Sequence, residues 1–138
     1  MIFEFTIYGN QENPEGNPIP YHRSTQGAKW NPEHKRYLAW KTFVAREAKN
    51  AGLVPELTNE AKIYYARHNT PPHPVQGNPH GRVEANIFFG NEAHADPDNI
   101  VKGILDAVFR SDKHIDVCTH HSCGNSRPRV GVKITLKK

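Results

Sequence analysis

Between residues 82 and 110 the apolar periodicity of the chain changes once, and the change falls on a short acidic run. Val83, Ala85, Ile87 and Phe89 alternate with Arg82, Glu84, Asn86 and Phe88, the period of two that marks a strand with one buried face, and the pattern stops at Gly90. Asp96-Pro97-Asp98-Asn99 follows. Beyond it Ile100, Val101, Ile104, Leu105 and Val108 recur as one face of a helix from about Asn99 to Arg110. A sheet that carries helices is the architecture these two periods allow together.

The rest of the chain extends that reading. Phe3, Phe5 and Ile7 alternate with Glu4, Thr6 and Tyr8 in a first strand, and the breakers from Gly9 to Trp30 predict a long loop. Asn31-Pro32-Glu33 opens a helix with a capping side chain, a first-turn proline and an acid; Gly52 closes it. Tyr37, Trp40, Val44, Ala48 and Ala51 form its core stripe, Lys35, Arg36, Arg46 and Lys49 cover other faces, and Lys41 borders the stripe. Residues 57–81 read as an insertion or flexible excursion, in which Ala61 to Ala66 suits either a strand or a helical turn. Ile115, Val117 and Thr119 mark a third strand, Cys123-Gly124-Asn125 a turn, and Val130, Val132, Ile134 and Leu136 a fourth strand. The expectation is one α+β domain over residues 1–138, an antiparallel-dominated sheet of about four strands with two main helices. Strand order is not readable from the pattern.

Charge narrows the partners. Eighteen Lys and Arg against 14 Asp and Glu give a formal net charge of +4, and several acids gather in one segment, so the remainder is more basic than the total. That balance suits an anionic polymer as partner, and equally a solvated basic surface. No apolar run reaches the roughly 18 residues of a membrane span. Met1-Ile2-Phe3-Glu4-Phe5 lacks the basic start of a signal peptide, and Cys118 and Cys123 lie close together; both point to a reduced, cytoplasmic protein.

The acidic run carries the chemistry. Pro97 holds Asp96 away from the helical region, so the chain is extended where the strand gives out, and carboxylates two residues apart share a side. Paired hard oxygen donors with room for water and phosphate are what Mg²⁺ asks of a phosphoryl-transfer site. The plainer reading is that Asp98 or Asn99 caps the helix and Asp96 is a loop acid. Asn99, Lys102, Gly103, Asp106 and Arg110 fall on the helix face opposite the apolar stripe, which aims Lys102 to neutralise charge on a cleaved phosphate. Its plainer reading is an ion pair with Asp106 one turn on. Asp112 and Asp116, flanking His114-Ile115, add carboxylates just before a strand.

Asp96-Pro97-Asp98-Asn99-Ile100-Val101-Lys102, then Asp106, then Asp112-Lys113-His114-Ile115, resembles the signature of the RusA-type Holliday-junction resolvases: D-x-D-N-x-x-K, an aspartate in the helix, then D-x-Q-V. The match is tight over this stretch and looser over the helix from Pro32 and the strand before the motif. The resemblance implies that Asp96, Asp98 and Asp112 are metal-binding catalytic acids, that Lys102 is needed for cleavage, that Mg²⁺ is the cofactor with Mn²⁺ able to substitute, and that the protein is a homodimer acting on four-way DNA junctions. Asn99, Asp106 and Asp116 are supporting residues on this reading, and Lys35, Arg36, Lys41, Arg46, Arg127, Arg129 and Lys133 are candidate DNA contacts. Two departures stand out: His114 replaces the usual Gln, and Ser111 stands where another acid is common.

About 12 helical residues span roughly 18 Å, so Asp112 joins Asp96 and Asp98 only if a loop folds back or a second subunit contributes it. Zinc is disfavoured at Cys118, His120, His121 and Cys123, because along a strand His121 faces away from Cys118 and His120. The other histidines read as scattered surface residues, with His94 alone near the acidic run, and the aromatics read as core, leaving no base-stacking platform. Two alternatives stay open: a non-catalytic nucleic-acid-binding protein, and a nuclease for forks, flaps or RNA.

Overall fold

The computed structural model describes residues 1–23, 31–91 and 94–137. Four strands, β1 (Ile2–Tyr8), β2 (His80–Phe88), β3 (His114–Ser122) and β4 (Arg129–Leu136), form one sheet in the order β1-β4-β2-β3. β4 runs antiparallel to both β1 and β2, with Phe5 opposite Val132 and Val83 opposite Ile134. β2 and β3 are parallel, with Val83 opposite Val117. The antiparallel bias expected from the sequence holds. The parallel pair follows from the helix between its strands, since a chain that leaves one end of β2 must be carried back before it can pair in the same direction.

Three helices accompany the sheet: α1 (Pro32–Asn50), α2 (Asn59–His68) and α3 (Pro97–Val108). α1 starts as its sequence predicts, with the Asn31 side chain accepting the Glu33 amide and Pro32 in the first turn. Its stripe of Tyr37, Trp40, Val44 and Ala48 is buried against Ile7, Val83, Ala85, Ile87, Val130, Val132 and Ile134 of the sheet, together with the apolar face of α3. One sheet face is thereby covered. The opposite face, with Glu4, Thr6, Glu84, Asn86 and Lys133, lines an open concavity.

A third helix, beyond the two expected, lies within residues 57–81. Thr58 caps α2 through the Ala61 amide, and Asn69 ends it in the left-handed conformation at φ 49°. Ala61 and Tyr65 are buried, and Val75 exchanges backbone hydrogen bonds with Val108 and Arg110 at the end of α3. Sequence pattern left this segment open because α2 buries only those two positions, too few for a helical stripe to declare itself. The predicted loop from Gly9 is irregular through Arg23, and its remainder to Trp30 lies outside the described residues. Among the described residues no helix is long and apolar enough to cross a membrane.

Candidate active site

Asp96 is the N-cap of α3. Its carboxylate accepts the Asp98 amide at 2.9 Å, and its carbonyl accepts the amides of Asn99 and Ile100. The capping role the sequence offered to Asp98 or Asn99 therefore belongs to Asp96. Asp98, in the first turn, is exposed, as is Asp96. Two anionic side chains at a helix N-terminus face the favourable end of the helix dipole.

The segment before α1 fixes the next member. Tyr21 donates its backbone N–H to the Asn99 carbonyl at 3.1 Å, which lays Tyr21 against α3. The Tyr21 ring then supports Lys102, whose Nζ lies 4.3 Å from the ring centroid, and it meets Tyr37 edge to face at 5.4 Å. Lys102 remains exposed, one turn beyond Asp98. Periodicity gave no hint of Tyr21, which stands in a proline-rich loop with no repeat around it.

Asp106 departs from expectation. Placed by the helical wheel on the exposed face, it is only partly exposed, and it pairs with Tyr37 and Lys41 of α1 rather than with Lys102. The Tyr37 hydroxyl donates to its carboxylate at 2.6 Å and Lys41 Nζ lies at 3.1 Å. Burial by itself raises the carboxyl pKa, but the hydrogen bond from Tyr37 and the charge of Lys41 outweigh it and hold Asp106 below the usual carboxylate range. The Tyr37 phenol is pushed up by burial and by that same carboxylate. Gly103, also expected on the exposed face, is buried, and a Cβ there would stand 3.2 Å from the Tyr37 ring. The physical reason is shared: α1 and Tyr21 cover a face of α3 that a helix considered alone presents to solvent. Asp106 thus ties two helices together, and Lys41, a candidate DNA contact, is committed to that tie.

Asp112 lies elsewhere. It is exposed in the connection from α3 to β3, where its carbonyl accepts the Ile115 amide. Because β2 and β3 are parallel and paired from His80 opposite His114, Asp112 stands near the beginning of β2, whereas Asp96 follows its end. Asp116 sits on β3 opposite Arg82, again away from Asp96. Among the described residues no group of three or more His, Cys, Asp or Glu is placed to hold a metal ion within one chain. Asp96 and Asp98 suit a hard cation that keeps most of its water, while the third acid does not join them in the monomer.

Three of the histidines are engaged with neighbouring groups rather than scattered over the surface. His94 stacks on Phe89 at 3.8 Å between centroids, and its Nδ1 lies 2.7 Å from the Ala95 carbonyl. His22 and His34 approach to 3.3 Å between Nδ1 atoms, and His34 is buried, which with the charge of His22 and Lys41 lowers its pKa. The basic candidates divide between two surfaces. Lys35, Arg36 and Arg46 are exposed on α1, with Arg36 paired to Glu12. Arg127, Arg129 and Lys133 belong to the other side of the sheet, and Arg46 lies over Phe43 at 5.4 Å.

Fold and site together define a small α+β protein in which a pair of exposed acids and a neighbouring lysine stand at the start of a helix beside a mixed sheet. The family model for endodeoxyribonuclease RusA matches residues 13–135, nearly the whole chain, and the protein belongs to that nuclease family. No curated protein matches the chain.

Proposed function

We propose that the protein is a Mg²⁺-dependent endonuclease that resolves four-way DNA junctions by phosphodiester hydrolysis, with Mn²⁺ able to replace Mg²⁺. The observation that carries this reading is the exposed pair Asp96 and Asp98 at the N-terminus of α3, with Lys102 one turn away and steadied by Tyr21. Membership of the RusA endodeoxyribonuclease family supports the same chemistry.

Asp96 and Asp98 would hold the metal, and Asp112 of a second subunit would complete the set, since one chain keeps it at the far end of α3. Bound Mg²⁺ supplies Lewis acidity toward the phosphate and a water of lowered pKa. The chain's own contributions are separate from that. Lys102 offsets the charge that grows on the phosphate oxygens, and Tyr21 restricts where the ammonium group rests. A homodimer places two such sites about a two-fold axis, which matches the two strands cut in a junction. Lys35 and Arg46 remain available to backbone phosphates, while Arg36 is engaged by Glu12.

A second reading draws on the cap itself. Asp96 spends one carboxylate oxygen on the Asp98 amide, as a purely structural N-cap does, and in that case the protein binds nucleic acid without cutting it. Incubating the protein with synthetic four-way junction, fork, flap, duplex and RNA substrates, in Mg²⁺ and in chelator, decides between them. Metal-dependent cuts placed symmetrically in the junction are expected. Binding with no cleavage of any substrate would leave the non-catalytic reading.

A further inference from the structure

The end of β2 that leads to the acidic run also carries an organised surface on the opposite side of the sheet. Phe88 and Phe89 are consecutive and face opposite ways: Phe89 is buried and stacks on His94, two residues before Asp96, while Phe88 points to the open face. There Phe88 and Tyr8 flank Arg129, which is the cross-strand partner of both. Tyr8 and Phe88 are thus two strand spacings apart, roughly 10 Å. The Arg129 guanidinium lies 4.0 Å from the centroid of Phe88, and that of Arg127 lies 4.1 Å from Tyr8. Arg129 also donates to the Arg127 carbonyl at 3.0 Å, which fixes the two arginines relative to each other. Tyr8 is 44% exposed, and among the described residues neither arginine pairs with a carboxylate.

Resting on the reading of this protein as a branched-DNA endonuclease, we propose that Tyr8, Phe88, Arg127 and Arg129 form a stacking platform for DNA bases that have lost a stacking neighbour at a branch point. A guanidinium serving phosphates alone needs only its N–H edge. Here each cation lies close to an aromatic ring, building a layered cation–aromatic surface on which a base can stack, and every base has a face suited to it. Continuous duplex hides its base faces, whereas a junction, fork or flap exposes them where arms meet. The platform therefore selects structure without reading sequence. Sequence pattern had sorted the aromatics into the core; Tyr8 and Phe88 escape that assignment because the sheet is covered on one face only.

The test uses a synthetic four-way junction carrying 2-aminopurine either at the branch or in the middle of one arm, in chelator so that nothing is cut. With the wild-type protein, branch-site fluorescence changes on binding and mid-arm fluorescence does not. Arg129→Lys and Arg127→Lys keep the charge and lose the plane, and Tyr8→Leu keeps apolar bulk and loses the ring. Each weakens junction binding on the order of tenfold, the scale of one lost base stack, while duplex binding changes less than twofold. Equal losses on junction and duplex, or unchanged affinity with unchanged fluorescence, would overturn the platform. Arg127 precedes β4, so its variant retains the sheet even if changes on the strands disturb folding. The outcome is independent of cleavage: a protein that shows the branch-site signal yet cuts no DNA in Mg²⁺ defeats the endonuclease reading and leaves the platform standing.

Discussion

Lys102 rests 4.3 Å from the centre of the Tyr21 ring, and the carboxylate of Asp106, its helical neighbour one turn on, is taken instead by Tyr37 and Lys41. The lysine is thereby left available at the acidic end of α3. Lys102→Ala is expected to slow single-turnover cleavage by about a hundredfold or more, the scale of one lost electrostatic stabiliser. Tyr21→Phe, which keeps the ring, should retain the rate, and Tyr21→Leu should lower it without weakening junction binding. An unchanged single-turnover rate for Lys102→Ala would reduce the lysine to a surface charge.

Asp96 has two separable duties, capping and charge. Asn also caps helices well, so Asp96→Asn should preserve stability while abolishing cleavage and leaving junction binding intact; Asp98→Asn should likewise abolish cleavage. Asp96→Ala should additionally lower stability by about 1 kcal/mol. Urea unfolding beside gel-shift and cleavage assays separates the two roles. Activity retained in both Asn variants would remove the acids from the mechanism.

The tie between α1 and α3 makes a pH prediction. Asp106 is held below its unfolded pKa, so folding favours its ionised form. The stabilisation is present above the ordinary carboxylate pKa of about 4 and fades as pH falls through the lower folded value. Asp106→Asn should flatten the acid limb of the melting-temperature profile relative to wild type, and should cost about 1 kcal/mol near neutral pH, since the carboxylate is partly solvated. An acid limb identical in the two proteins would show that Asp106 contributes no linkage.

Asp112 gives the sharpest test of assembly. If it acts across a two-fold interface, mixing an Asp96→Asn protomer with an Asp112→Asn protomer restores one intact site per heterodimer; if it acts within its own chain, none is restored. Sedimentation of the wild-type protein is expected to show a dimer at working concentration. A monomer with full junction cleavage would exclude the dimeric mechanism.

Legibility followed locality. The alternation in β2 and β4 and the stripe on α1 were readable because each buries one face against a continuous core, and the period of a buried face is fixed by backbone geometry. The N-cap was readable as a position but not as a residue, since Asp96, Asp98 and Asn99 all suit it and backbone dihedrals choose among them. α2 was not readable, with only Ala61 and Tyr65 buried.

By itself the sequence determined the α+β class, the place where strand gives way to helix, and a motif that assigns the chain to a nuclease family, because each depends on spacing along a short stretch. Helix length along the chain already separates Asp112 from Asp96; tertiary structure alone decided that no loop folds back to reunite them within one chain. The parallel pairing of β2 with β3 sends Asp112 to the opposite end of α3 from Asp96, and the packing of α1 and Tyr21 against α3 withdraws Asp106 from solvent and leaves Lys102 exposed. Contacts of this kind join residues far apart in the chain, and nothing in the local period of either partner records them.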